Sequence, residues 1–243
     1  LDRQKSEFLS LATHQLRGPL AAIRGHLSLV VDGTYGAVPA RAKEVVHRVF
    51  STSGLMAQTI NDFLSVSRIE QGSMQYEKKD FACDALVSGI VEELRQTAEE
   101  KSLKLSLQNN CEGECIVHAD YGKLRHVFFN LIDNSIKYTQ KGKVEVYVSR
   151  ESQGDVVRFT VRDTGIGIAK DEIDGLFEKF IRARNATGVN INGTGLGLYV
   201  AREMVEAHDG KIWAESEGQG KGSAFNVELP IAPTRKGKAP EEK

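Results

Sequence analysis

The sequence predicts an α+β protein in which a helical hairpin is followed by an α/β sandwich, with helices packed on one face of a sheet. Two long helical patterns open the chain, short strands and helices alternate after Met74, and the glycine-rich segments are confined to the later part. We therefore expect residues 1–73 to form the hairpin, residues 74–232 to form the sandwich, and residues 233–243 to be a disordered charged tail.

The composition is that of an ordinary globular protein. Of 243 residues, 40% are hydrophobic and 27% charged, and the formal net charge is −1. A nucleic-acid-binding protein would show a basic surplus, so we expect no nucleic-acid partner. No apolar run approaches the roughly 18 residues that cross a bilayer. Because the chain opens without Met, we interpret it as a cytoplasmic fragment of a longer protein, which is compatible with either a membrane-anchored or a soluble full-length chain.

Two amphipathic helices account for the first segment. The first helical pattern ends near Asp32-Gly33, and the second extends from about Arg41 to Ile69. One hairpin has too little surface to bury both apolar stripes, whereas two hairpins can form a four-helix bundle, so we expect a homodimer. The predicted stripe residues are Phe8, Leu11, Ala12, Leu16, Leu20, Ile23, Leu27 and Val30 in the first helix and Val45, Val46, Val49, Phe50, Met56, Ile60, Phe63, Leu64 and Ile69 in the second.

Helices and strands are shorter in the second segment. Asp120 is a typical N-cap for a helix that reaches about Tyr138, and residues 144–148 alternate with the period of a strand. The other predicted elements are a helix within 81–101, strands at 103–107, 157–161, 211–213 and 224–229, and a helix at 196–208.

The three cysteines allow two interpretations. Cys111 and Cys115 lie four apart and His118 follows, which is one possible metal-binding arrangement. No second ligand pair occurs at zinc spacing, so we favour the interpretation that the cysteines are free thiols of a cytosolic protein.

His14 lies nearly opposite the apolar stripe of the first helix, so its imidazole should face solvent. Pro19, about one turn later, removes a backbone hydrogen bond at a cost of about 3 kcal/mol, and a kink there would expose the histidine. Taken alone, this segment is more typical of a surface histidine beside an incidental kink.

Four later segments have the features of a nucleotide site. In the first, Asn130, Asn134 and Lys137 lie three or four apart on one helix face. Amide oxygens can ligate Mg²⁺, and a lysine beside them can neutralise phosphate charge. In the second, residues 163–168, a carboxylate at a strand end can accept a hydrogen bond from the adenine amino group, and Asp163 supplies it.

The third segment, residues 192–198, places glycines before a helix, where free N–H groups can bind phosphates. It is neither a Walker motif nor a Rossmann fingerprint. The fourth, residues 218–223, would alone be a hairpin loop. Between the second and third, an aromatic pair within 176–182 can wall a pocket, Arg182 can stabilise γ-phosphate charge, and residues 183–191 are typical of a mobile lid.

In this order, the segments resemble those of sensor histidine kinases over about residues 1–230. The resemblance implies a phospho-acceptor and dimerisation hairpin followed by an ATP-binding domain of the GHKL (Bergerat) type, a fold shared with DNA gyrase and mismatch-repair ATPases. Each motif is modest alone, and their joint order after the hairpin is what is specific. The matching motifs are the phospho-acceptor box at 8–20, the asparagine box at 130–138, the first glycine box at 163–168, the phenylalanine box at 176–182 and the second glycine box at 192–198.

The resemblance also implies a function in two-component signal transduction. ATP would phosphorylate His14, which would pass the phosphoryl group to an aspartate of a response regulator receiver domain, with a sensor domain upstream. His14, Gln15 and Arg182 are the implied catalytic residues, and Asn134 and Asn130 would hold Mg²⁺. The implied ATP contacts are Asn130, Asn134, Lys137, Tyr138, Asp163, Gly165, Gly167, Ile168, Lys179, Phe180, Thr194, Gly195, Leu196 and Gly197.

Three positions depart from the family pattern. Gln15 replaces the usual acidic neighbour of the histidine and cannot accept a proton as a base, which predicts slow autophosphorylation. Gly18 stands where the family often has Thr or Asn, which predicts weak phosphatase activity. Ala224, after Ser223, stands where we expect the family's threonine near the adenine.

Gln15 also supports an alternative, an ATP-binding pseudokinase that acts as a scaffold for a receiver domain. A gyrase-like ATPase and a structural coiled-coil protein are weaker alternatives. The sequence does not distinguish transfer to the same subunit's His14 from transfer to the partner's, which depends on the handedness of the turn at 33–39.

Overall fold

The computed structural model describes residues 2–111, 115–151, 155–181, 183 and 194–232, and the side chains of all of these except 2–14 and 17. The predicted tail, Arg182 and most of the predicted lid lie outside the described residues. The chain divides into two compact units. The first comprises Leu1–Gln75, Glu178–Ile181 and Asn190–Val200, and the second comprises Tyr76–Phe177, Arg182–Val189 and Ala201–Lys243.

The helical hairpin consists of α1, Asp2–Val31, and α2, Ala40–Glu70. Both helices end within two residues of the predicted ends. Pro19 lies inside α1, and the helix continues on both sides of it. The guanidinium of Arg24 on α1 lies 5.5 Å from the ring centre of Phe50 on α2, which is a cation–π contact between the two helices.

Much of the predicted apolar stripe stays exposed on the hairpin. Leu20, Ile60 and Leu64 are buried, with 7%, 8% and 7% of their surface exposed. Contiguous exposed apolar surface of this kind is typical of an interaction site. The exposed members of the predicted stripe are Leu16, Ile23, Val45, Val49, Met56 and Phe63, and Leu29, which is not in that stripe, is exposed as well.

The second unit is built around a five-stranded sheet of order β2-β4-β5-β7-β6. β2 and β4 are parallel and the other neighbours are antiparallel. A separate antiparallel pair joins β1 to β3. The strands are β1 Lys78–Ala82, β2 Leu103–Asn110, β3 Ile116–Asp120, β4 Gly142–Glu151, β5 Val156–Asp163, β6 Lys211–Glu215 and β7 Ser223–Pro230.

Helices cover one face of this sheet. They are α3, Cys83–Glu100, and α4, Tyr121–Tyr138. Phe128 on α4 packs on Phe159 on β5 with ring centres 4.5 Å apart. Both rings are fully buried, so the core lies between the helices and the sheet. The predicted α+β class and sandwich are confirmed. A last helix, α5, covers Gly197–Glu206 and begins in the first unit.

Asp120 fixes the start of α4. Its carboxylate accepts a hydrogen bond from the amide of Lys123 at 3.0 Å, which is the predicted N-cap. The other carboxylate oxygen accepts from the amide of Glu77 at 2.9 Å. The Asp120 amide donates to Nε2 of the buried His208 at 2.9 Å. These three bonds hold the helix that carries the candidate site residues.

The preference for free thiols is wrong at two of the three cysteines. Cys111 and Cys115 form a disulfide, because the connection from β2 to β3 brings their Cα atoms to 6.2 Å, within the usual range for this bond. Cys83 is free and buried, and burial raises its pKa to about 12. No described helix combines the length and the hydropathy of a membrane span.

Candidate active site

Asp163 is a buried carboxylate at the end of β5, with 5% of its surface exposed. One oxygen accepts a hydrogen bond from the amide of Gly165 at 2.8 Å, and the other accepts from the hydroxyl of Ser223 at 2.6 Å. Burial raises its pKa, and the bonds from Ser223 and Gly165 oppose that rise. The two donors fix the carboxylate's orientation, and such a group can accept further donors from a ligand.

The glycine turn after Asp163 meets the C-terminal end of α4. The amide of Ile166 donates to the carbonyl of Tyr138 at 3.2 Å. A Cβ on Gly165 would lie 2.5 Å from the same carbonyl oxygen, so only glycine fits there. Thr139, which the sequence analysis missed, is fully buried beside Gly165, and its hydroxyl donates to the carbonyl of Ser135 at 2.7 Å. Tyr138 and the turn are thus brought together.

Asn130 and Asn134 face one another on α4, as their spacing predicts. Nδ2 of Asn134 donates to Oδ1 of Asn130 at 3.3 Å. Asn130 is buried, and its own Nδ2 has no hydrogen-bond partner in the described part of the chain. A buried amide donor without a partner costs free energy, which fits a position that meets a ligand oxygen. Asn134 is only partly buried, and an amide oxygen of this kind can ligate Mg²⁺.

Lys137 forms an ion pair with another residue of α4. Its Nζ lies 2.5 Å from Oδ2 of Asp133, one turn earlier on α4. Lys101 also belongs to this group, because its ammonium donates to the carbonyls of Ile136 and Lys137 at 3.1 and 3.2 Å. The pKa of Lys101 is lowered. Burial is the main cause and the charge of Lys137 adds to it, while the charge of Asp133 acts in the opposite direction. Asp133 and Lys101 were both missed from the sequence.

The predicted hairpin loop at 218–223 packs against the glycine turn. The amide of Gly220 donates to the carbonyl of Ile166 at 2.7 Å, and that of Gly222 donates to Gly165 at 3.2 Å. Ser223 follows directly and donates to Asp163. Ser223, the neighbour of Ala224, therefore supplies a hydroxyl beside the carboxylate.

Residues 178–181 of the phenylalanine box belong to the first unit, where two of them contact α2. Nζ of Lys179 is 2.5 Å from Oε1 of Glu70 and 4.9 Å from the ring centre of Tyr199. The hydrogen bond that Lys179 donates to the Glu70 carboxylate raises the pKa of Lys179. The Phe180 ring lies 6.4 Å from that of Phe63, centre to centre. Lys179, predicted to contact ATP, thus has an ionic partner on the hairpin.

The second glycine box closes on the phenylalanine box within the same unit. The amide of Phe180 donates to the carbonyl of Gly195 at 3.0 Å. Gly195 has φ +71°, and a Cβ there would lie 2.8 Å from the carbonyl carbon of Phe180. The Thr194 hydroxyl accepts from the amide of Leu196 at 3.3 Å, and α5 begins at Gly197. A helix start of this kind is suited to bind an anion.

The phospho-acceptor box lies on α1. Gln15 and Gly18 are exposed, and a Cβ on Gly18 would meet no described side chain within 4 Å. The backbone of His14 belongs to α1, but its side chain is outside the described residues, as is Arg182. The described structure therefore brings together Tyr138, Asp163 and the glycine turn in the second unit, and residues 179–180 and 194–197 in the first.

Ile168, predicted to line the base pocket, is buried with 6% of its surface exposed. Its amide donates to Oγ of Ser216 at 3.0 Å. Gly167 has φ +66°, and a Cβ there would overlap the carbonyl of Gly218. The backbone of both residues is therefore held by the loop between β6 and β7.

Two family models match the chain. Residues 4–72 match the His Kinase A (phospho-acceptor) domain. Residues 119–233 match the histidine kinase-, DNA gyrase B- and HSP90-like ATPase. The two matches lie in the order that the sequence motifs predict.

The chain is also similar to named kinases. It is 31% identical over 242 residues to the autoinducer 2 sensor kinase/phosphatase LuxQ of Vibrio cholerae, covering 99% of this chain and 28% of LuxQ. It is 35% identical over 229 residues to the circadian input-output histidine kinase CikA of Synechococcus elongatus, covering 93% of this chain and 30% of CikA. The chain thus spans less than a third of either relative.

A solved structure agrees with these relatives. The crystal structure of full-length ShkA in complex with AMPPNP superposes with a TM-score of 0.73 and 26% identity, covering 94% of this chain and 46% of that chain. With a phospho-acceptor hairpin, an ATPase domain of the matching type and motifs in the family's order, the chain belongs to the sensor histidine kinases of two-component systems.

Proposed function

We propose that this chain phosphorylates His14 with ATP and then passes the phosphoryl group to an aspartate of a response regulator receiver domain. The observation that carries the proposal is the buried carboxylate of Asp163, held by two donors, in a chain whose first helix carries a phospho-acceptor box. ATP is abundant in the cytoplasm, where we expect this part of the protein to work.

Asp163 would recognise the adenine base. Its carboxylate is aimed by Gly165 and Ser223 and can accept a hydrogen bond from the exocyclic amino group. A guanine base presents a carbonyl oxygen at the same position, which a carboxylate repels. Tyr138 and Ile168 would line the base pocket, since both lie at the glycine turn.

Asn130 and Asn134 would bind the phosphate end of the nucleotide. The unpartnered Nδ2 of Asn130 suits a phosphate oxygen, and the side-chain oxygen of Asn134 suits Mg²⁺, which takes hard oxygen ligands. Bound Mg²⁺ supplies charge neutralisation for the phosphates. Lys137 would add positive charge, and Asp133 keeps its ammonium on the same helix face. The remaining ATP contacts implied by the family motifs are Lys179, Phe180, Thr194, Gly195, Leu196 and Gly197.

The chemistry at His14 needs one free imidazole nitrogen. That nitrogen attacks the γ-phosphorus, the bond from phosphorus to the bridging oxygen breaks, and ADP leaves. The imidazole gives up one proton to solvent. Gln15 can orient the ring by hydrogen bonding but cannot take this proton as a base, so the reaction should be slow. Arg182 would stabilise charge on the transferring group.

A homodimer is the expected assembly. Apolar residues of α1 and α2 remain exposed in the described hairpin. A second hairpin would cover them in a four-helix bundle, as the family's phospho-acceptor domains do. The sensor domain would lie in the larger part of the protein that this chain does not span.

Labelling with γ-labelled ATP and Mg²⁺ tests the proposal. We expect a label on the wild-type chain that is stable to alkali and labile to acid, as phosphohistidine is, and no label on His14→Ala. Transfer of that label to a purified receiver domain tests the second step.

The same experiment separates the alternatives. A pseudokinase scaffold, which Gln15 favours, would bind ATP with no label on the chain. A gyrase-like ATPase would release phosphate at an unchanged rate in His14→Ala. Either result would contradict the proposed function.

A further inference from the structure

Two loops that are far apart in the sequence form one hydrogen-bonded structure around Asp163. The glycine turn at 165–168 accepts two backbone bonds from the loop at 216–222. Gly222 has φ +73°, and a Cβ there would overlap the carbonyl of Asp163. The backbones therefore approach as closely as glycine allows, and a small shift of either loop would move Asp163 relative to Ser223.

Ser216 lies where these two loops meet. Its Oγ accepts hydrogen bonds from the amide of Ile168 at 3.0 Å and from the amide of Gly218 at 3.2 Å. The same hydroxyl donates to the carbonyl of Gly222 at 2.6 Å. The carbonyl of Gly218 is a second, longer acceptor at 3.3 Å.

These bonds use the whole capacity of the side chain. A hydroxyl has one proton to donate and two lone pairs that accept. The Ser216 hydroxyl donates its proton to the carbonyl of Gly222, and its two lone pairs accept from the amides of Ile168 and Gly218. Alanine would lose all three bonds, whereas threonine would keep the hydroxyl and add only a methyl group. Ser216 is partly exposed.

We propose that Ser216 is a positioning residue for nucleotide binding. It fixes the distance between the glycine turn at 165–168 and the loop at 216–222 without touching the nucleotide. Through Ile168 it holds the end of the turn that lines the base pocket. Through Gly222 it holds the residue before Ser223, and hence the donor to Asp163. This inference rests on the proposed function, because it assigns a role in binding ATP.

The test compares Ser216→Ala with Ser216→Thr in the full 243-residue chain. The dissociation constant for ADP is measured by calorimetry, and the rate of His14 phosphorylation is measured at several ATP concentrations. Ser216→Ala should raise the dissociation constant and the KM for ATP about tenfold, which corresponds to the net free energy of roughly one hydrogen bond although three are broken. The maximal rate should stay within about twofold of wild type, and Ser216→Thr should restore the KM to within about threefold.

Ser149→Ala is the matched control, because Ser149 is also a partly exposed serine of the same unit that donates to a neighbour, Glu151. It should leave the KM unchanged. A wild-type KM in Ser216→Ala, or an equal loss in Ser216→Thr and Ser216→Ala, would overturn the inference.

Amide hydrogen exchange of the protein without nucleotide gives a second measurement. Ser216→Ala should accelerate exchange at Ile168 and Gly218, and leave the core strand β5 as protected as in wild type. Unchanged exchange at both amides would also overturn the inference. If the wild-type chain bound no nucleotide, the proposed function would fail, and the exchange measurement would still report whether Ser216 holds the two loops.

Discussion

The hydroxyl of Ser223 and the carboxylate of Asp163 face each other across adjacent strands, 2.6 Å apart, at the point where β5 and β7 are in register. Asp163 is the last residue of β5 and Ser223 the first of β7. The pairing of these strands thus sets the geometry of a buried acceptor. Burying a carboxylate at the end of a central strand costs free energy, and carboxylates in such positions are candidates for a functional site.

Replacing Asp163 with Asn should weaken ATP binding about 10- to 100-fold, the cost of losing one hydrogen bond to a charged group. The side-chain oxygen of Asn would turn to the amide of Gly165, and its NH₂ group would then face the amino group of adenine. Calorimetry with ATP measures the loss. Asp174→Asn, at an exposed aspartate, is the control. Wild-type affinity in Asp163→Asn would contradict the assignment of the base site.

Replacing Gln15 with Glu should accelerate phosphorylation of His14. A carboxylate can take up the imidazole proton, and general-base assistance is typically worth about 10²–10⁴-fold. Initial rates of labelling at saturating ATP measure the effect, with Gln15→Ala as a variant that supplies neither a base nor an orienting group. An equal or lower rate in Gln15→Glu would refute the role assigned to this position.

Replacing Gly18 separates helix stability from phosphatase chemistry. Because a Cβ at Gly18 meets no described side chain and alanine favours a helix over glycine, Gly18→Ala should raise the free energy of unfolding by about 1 kcal/mol. It should not change the rate at which a phosphorylated receiver loses phosphate. Gly18→Thr supplies a hydroxyl that can place a water, and should raise that rate on the order of tenfold. Equal rates for the Ala and Thr variants would rule out this function for the position.

Stability should fall below about pH 6.5 because of His208. Burial lowers its pKa, and the charge of Lys78 adds to this, while the bond to Met204 and the charges of Asp120 and Asp209 act in the opposite direction. Nε2 accepts from the Asp120 amide, so a proton there would break that bond. Because the folded-state pKa is lowered, the unfolded chain binds the proton more readily than the folded chain. The free energy of unfolding is therefore highest above the ordinary histidine pKa. It falls as the pH drops below that value, by at most about 1.4 kcal/mol per pH unit.

Urea unfolding between pH 5 and pH 8 would measure this dependence. His208→Gln should flatten the decline, whereas His118→Gln, at a histidine whose side chain is half exposed, should keep it. A decline that is as steep in His208→Gln as in wild type would assign it to another group, such as His126, whose pKa burial also lowers.

The periodic parts of the fold were predictable because they depend on local rules. The ends of α1, α2 and α4 follow from glycine stops and from the Asp120 cap, and β4 and β5 follow from period-two alternation. The strands were predicted too short, since pairing with neighbours extends β2 to Asn110 and β4 to Glu151. Hydrogen bonds to an adjacent strand are not encoded in a segment's own pattern.

The site was predictable where its residues share one element and less so where two loops meet. The ion pair of Lys137 with Asp133 has the usual spacing of a helix pair and could have been found. Ser216 could not, because its partners Ile168 and Gly222 come together only when β6 and β7 join the sheet. The contact between Lys179 and Glu70 spans 109 positions and has no local signal.

The covalent link between Cys111 and Cys115 closes a very short ring. A cross-link lowers the entropy of the unfolded chain by an amount that grows with the logarithm of the loop length. This short loop should therefore stabilise the folded state by only about 2 kcal/mol. The second unit is therefore stabilised mainly by the packed layer between its helices and its sheet. Thermal unfolding with and without dithiothreitol should differ by only a few degrees, about 2–8 °C. The same polypeptide would then stay folded whether its surroundings keep thiols reduced or oxidise them.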